Sequence, residues 1–123
     1  MVNKPKIQGT RFETGTVNLL KSWGYKAYRL AEGGLKDEGD VQAEIQHKLI
    51  PATEVIFECK ARQNLNIHQT YFKAKQKAGD KPLVLAWKKL VNKGSNARRS
   101  ADGVSTLYIV DEEFLKDLLE NYG

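Results

Sequence analysis

Glu58 and Lys60 stand two residues apart in the run Glu54-Val55-Ile56-Phe57-Glu58-Cys59-Lys60. Strand side chains alternate, so Val55, Phe57 and Cys59 share one face and Ile56, Glu58 and Lys60 the other. A carboxylate and an ammonium on an otherwise apolar strand are costly to bury unless they are paired or put to use. Glu58 can hold a hard divalent cation. Lys60, beside it, can reach a phosphate or an attacking water. A second carboxylate is then needed close by, and Asp40, in Gly39-Asp40-Val41, opens the preceding strand. This is the chemistry of a metal-dependent nuclease. A plain intrastrand ion pair also accounts for Glu58 and Lys60, but such a pair is worth little when exposed. It also gives no reason for Asp40 to arrive at the same place.

A hairpin must bring these residues together. Residues 41–46 alternate, with Val41, Ala43 and Ile45 against Gln42, Glu44 and Gln46, as a half-exposed strand does. Residues 47–53, with Pro51, turn the chain, and residues 54–60 return. The start of one strand then lies beside the end of the next, so Asp40 falls close to Glu58 and Lys60. The register itself is not readable.

Upstream, Phe12, Thr16, Leu19, Leu20 and Trp23 recur at helix spacing, and Gly24 suits a left-handed stop. Thr10 followed by Glu13 resembles a capping box. Glu13 could instead face the same site as Asp40 and Glu58, and the pattern leaves both readings open. Residues 1–8 read as a mobile basic lead-in and residues 25–30 as a short strand. Residues 31–39 form a Gly-rich charged loop that holds Lys36; its glycines are wrongly spaced for a nucleotide fingerprint.

Downstream, residues 66–78 read as a helix capped by Asn66, with Gln69 completing the box and Gly79 ending it. Gln69 could also orient a water or a phosphate. Tyr71, Ala74 and Ala78 are expected inward, and Lys73, Lys75 and Lys77 mostly outward. Residues 82–87 read as a buried strand and residues 92–103 as a long polar loop. Its Arg98 and Arg99 could clamp phosphates. Residues 106–110 form the last strand. Asp111 caps a final helix with Phe114, Leu115, Leu118 and Leu119 as its apolar stripe. Trp23, Trp87 and Cys59 are read as packing residues.

The totals narrow the class. At 123 residues the chain is expected to be one domain, 1–123, with a single core. Its 41% hydrophobic and 28% charged content fits a globular protein and not a disordered one. No apolar run approaches a membrane span, and the first residues show no signal-peptide apolar region. One cysteine permits no internal disulfide or cysteine zinc cluster, and two histidines are too few for an imidazole metal site. A reducing cytoplasm is the expected setting. The net charge of +5 favours a polyanionic partner.

Three motifs, in order, carry a resemblance: Gly9-Thr10-Arg11-Phe12-Glu13 on the opening helix, Gly39-Asp40-Val41, and Phe57-Glu58-Cys59-Lys60 before a helix. With the order helix, three strands, helix, two strands, helix, the chain resembles the PD-(D/E)XK nuclease superfamily. Within it the chain is similar to the small Holliday junction resolvases of the archaeal type, which also occur in viruses. Gly39 stands where the superfamily name writes proline. The resemblance implies an α/β fold, a mixed central sheet of about five strands flanked by helices. It implies that Asp40, Glu58 and Glu13 hold Mg2+, with Mn2+ able to substitute. The backbone carbonyl of Cys59 would be a further ligand and Lys60 the catalytic lysine. Candidate DNA contacts are Arg11, Lys36, Gln69, Arg98 and Arg99. The implied protein is a homodimer that cuts four-way DNA junctions during recombination and repair and leaves 5′-phosphate ends. It would work in the cytoplasm, or in the host's cytoplasm or nucleoid if viral. A nicking, restriction or repair nuclease of this fold, or a DNA-binding domain that does not cut, is the alternative.

Overall fold

Apolar residues in the third strand occupy both of its faces, so it must be covered on both sides. That requirement sets the layers. The computed structural model describes residues 4–29, 40–47, 50–93, 97–100 and 103–120; within these, the side chains of residues 4–9, 40, 44–47, 50–53, 92–93 and 97–100 are not described. The elements are α1 (Lys4–Ser22), β1 (Lys26–Arg29), β2 (Asp40–His47), β3 (Ile50–Arg62), α2 (Ile67–Ala78), β4 (Leu83–Lys93), β5 (Ala97–Ser100), β6 (Thr106–Ile109) and α3 (Glu112–Glu120). The main sheet runs β1-β2-β3-β4-β6. β3 and β4 are parallel and the other pairs antiparallel, which makes the sheet mixed, five-stranded and flanked by three helices, as expected. β5 pairs only with the far end of β4, from Leu90↔Ser100 to Lys93↔Ala97.

Odd-numbered residues of β3 build the larger core. Val55, Phe57 and Cys59 pack with Phe12, Val17 and Leu20 of α1, Val41 and Ala43 of β2, and Val84 and Ala86 of β4. Even-numbered Ile56 turns the other way, to Leu83 and to Ala74 of α2, with Tyr71 and Ala78 alongside. Helix α2 thus covers the opposite face. Leu85, fully buried, stands beside Glu58 in the parallel register.

Local chemistry sets the helix ends. Asn66 caps α2 by accepting the Gln69 N–H at 3.1 Å, and Gly79 closes it at φ +66°. Helix α1 stops where Gly24 takes φ +95°. There the Tyr25 N–H donates to Leu20 and the Gly24 N–H to Lys21, a Schellman closure. Asp111 caps α3 through the Phe114 N–H at 2.8 Å.

Several expectations change. Helix α1 begins at Lys4, six residues before Thr10, with Pro5 tolerated in its first turn, so Thr10 and Glu13 form no capping box. Strands β2 and β3 run further than residues 41–46 and 54–60, which shortens the turn between them. The loop expected over residues 92–103 contains β5, held by pairing and not by composition. Trp23 is not packed: it is 59% exposed. Leu115, Leu118 and Leu119 of the α3 stripe are exposed, as are Leu107 and Tyr108 of β6, while Phe114 joins the core.

Candidate active site

The hairpin register is Asp40↔Glu58, then Val41↔Phe57 and Gln42↔Ile56. Residues opposed on an antiparallel ladder share a face, with Cβ atoms about 4.5–5.5 Å apart. Asp40 and Glu58 are therefore opposed at the end of β2, and Lys60 follows Glu58 on the same face of β3. The side chain of Asp40 lies outside the described residues. Glu58 is 3% exposed, and its Oε1 is 3.3 Å from Lys60 Nζ. The other oxygen, Oε2, is 3.4 Å from Nζ of Lys77, which comes from the last turn of α2. One buried carboxylate thus has an ammonium on each oxygen, which offsets the desolvation that burial alone would impose.

A cavity of about 320 Å3 opens beside Glu58, between β3 and α2. Its cationic walls are Lys60 and Arg62 from the strand and Lys73 and Lys77 from the helix. Thr70, Lys73, Ala74 and Lys77 fall at helix positions i, i+3, i+4 and i+7, which form one face. Lys73 and Lys77 are exposed, as expected, and they also line this cavity. The spacing from buried Ala74 was the available signal, and their charge masked it. On the strand side, the Trp87 indole N–H donates to the Arg62 carbonyl at 3.1 Å, and Lys89 donates to the carbonyl of Gln63. Trp87 is half-buried beside Lys60 in the β3–β4 register.

Glu13 pairs with Arg29, which stands opposite Val41 in the β1–β2 register. It is 2% exposed on α1, and its Oε1 is 3.3 Å from Arg29 Nε. Helix α1 covers the Cys59 side of β3, where the Cys59 thiol donates to Thr16 Oγ1 at 3.6 Å. Glu58 and Lys60 stand on the α2-facing side. Cys59 is buried as read, and it follows the last described β2–β3 pair on β3. Arg11 is exposed on α1, and Gln69 is exposed in the first turn of α2. Arg98 and Arg99 sit on β5, opposite Asn92 and Val91, with their side chains outside the described residues. Lys36 is outside the described residues altogether.

Among the described residues, no group of three or more His, Cys, Asp and Glu could hold a metal ion. Magnesium keeps several waters and takes one or two carboxylates. Glu58 is one such donor, and Asp40, opposed to it in the register, is the second acidic residue at that end of the hairpin. No protein-family model and no curated protein matches the chain. Among the described residues, no helix is long and apolar enough to cross a membrane.

Proposed function

We propose that the protein is a metal-dependent endonuclease of the PD-(D/E)XK type that resolves four-way DNA junctions. The observation that carries this reading is the Asp40↔Glu58 register, with Lys60 two residues on and a cationic cavity adjoining. Asp40 and Glu58 hold Mg2+, with Mn2+ able to replace it. Glu13, paired with Arg29 on the other face, supports the fold in this reading and does not hold the ion. When bound, the ion supplies charge neutralisation at the scissile phosphate. Lys60 directs its ammonium to the attacking water and to the charge that grows on the phosphoryl oxygens. Arg62 and Lys73 bind flanking phosphates. The products are 5′-phosphate and 3′-hydroxyl ends. Paired cuts need paired sites, so the working form is a homodimer acting on cytoplasmic DNA.

A second reading is favoured by the two ammoniums on Glu58. In it the cluster pins α2 to the sheet, and the protein binds DNA without cutting. One assay separates the two: cleavage of a synthetic four-way junction and of a linear duplex of equal sequence, with magnesium or with EDTA. The nuclease reading expects magnesium-dependent junction cutting that Asp40→Asn and Glu58→Gln each lower by at least about 100-fold, or about 3 kcal/mol of barrier. Cutting that survives both substitutions overturns the nuclease reading. Equal rates on junction and duplex overturn only the junction preference.

A further inference from the structure

Lys77 holds a position with two uses. Its Nζ lies 3.4 Å from Glu58 Oε2, and Lys60 takes the other oxygen at 3.3 Å. A divalent ion that binds this carboxylate must share or take one of those oxygens, and its charge repels the ammonium already there. The two lysines are not equally held. Lys60 is on the same strand as Glu58, and its side chain is 19% exposed. Lys77 reaches across from α2, and its side chain is 37% exposed. The helix lysine therefore yields at the lower cost. Once displaced, it stays on the helix face it shares with Lys73, one turn away, at a cavity that Arg62 also lines. Three cations there match the phosphates of a nucleic-acid backbone.

We propose that Lys77 competes with the divalent ion for Glu58 and, once displaced, binds a DNA backbone phosphate, so that metal entry recruits a substrate contact. This rests on the reading of Glu58 as a metal ligand. By linkage, metal and DNA then each strengthen the binding of the other. Lys77 is a positioning residue on this view: it sets how firmly Glu58 is held for the ion.

The test is Mn2+ binding to the full chain without DNA, followed by the resonance of free Mn2+. Lys77→Met, and Lys77→Gln as a second variant, should bind Mn2+ roughly fivefold tighter than the wild type, the scale of one partly exposed ion pair. A merely structural role predicts the reverse, since a loosened site binds metal less well. Unchanged or weaker binding by both folded variants overturns the proposal. A second arm measures junction binding in EDTA. There Lys77→Met should cost little in the wild type but several-fold in a Glu58→Gln background, where Lys77 is released. Equal costs in both backgrounds also overturn it. Failure of the underlying reading looks different: the wild type then binds no Mn2+, or Glu58→Gln binds it as well as the wild type does.

Discussion

Glu58 is buried between β3 and α2 with an ammonium on each oxygen, and the proposed function and a structural role make opposite predictions for its removal. Removing one partner of a buried ion pair is costly when the other charge stays buried and cheap when that charge can reach water. Glu58→Gln keeps the shape, and Lys60 and Lys77 can relax toward solvent. The expected outcome is a melting temperature that holds or rises while junction cleavage is lost, checked by thermal unfolding beside the cleavage assay. A fall of several degrees would mark Glu58 as a structural residue. Lys60 and Glu58 were legible in the sequence because period-two alternation puts them on one face. Lys77 was legible as an exposed lysine, but its reach to Glu58 was not, because the strand opposite α2 cannot be read from the helix. Glu13 was half legible: the pattern showed a residue with a purpose, and only the structure showed its partly buried pair with Arg29.

At the scale of elements, Tyr71 ties α2 to two others. Its hydroxyl donates to the Leu83 carbonyl of β4 at 3.2 Å and accepts the Asp111 N–H before α3 at 3.0 Å. Tyr71→Phe should cost about 1–2 kcal/mol, read from the urea midpoint. Burial, the leading cause, raises the Tyr71 phenol above the ordinary tyrosine range, and it raises Tyr108 too. A group whose folded pKa is raised adds stability that is complete below its unfolded value, near ~10, and is lost as pH climbs through the folded value. The wild type should therefore lose stability above about pH 10, and Tyr71→Phe should lose it less steeply. Caps and stops such as Asn66, Gly24 and Gly79 were readable because they act within one turn of chain. β5 was not: Arg98 and Arg99 sit in a run of loop composition, and their strand state comes from Val91 and Asn92 opposite. The start of α1 was misread for the converse reason, since Thr10 and Glu13 imitate a cap inside a continuous helix.

For the molecule as a whole, a net charge of +5 acts together with the cationic wall of the cavity. Junction affinity should fall steeply with salt, and Lys73→Met should lower the slope of log K against log salt by about 1. A titration from low to physiological salt checks this, and an unchanged slope would remove Lys73 from the contact. The acidic residues Glu112, Glu113, Asp117 and Glu120 gather on α3, so that helix is not expected to meet DNA. β3 serves two masters by parity: its odd residues belong to the α1 layer and its even ones to the α2 layer. A single-residue insertion or deletion between 54 and 60 would exchange the layers, sending Phe57 or Cys59 to the α2 side and Glu58 under α1. Length changes in this strand are therefore tolerable only in twos, whereas the segment before Asn66 carries no such constraint.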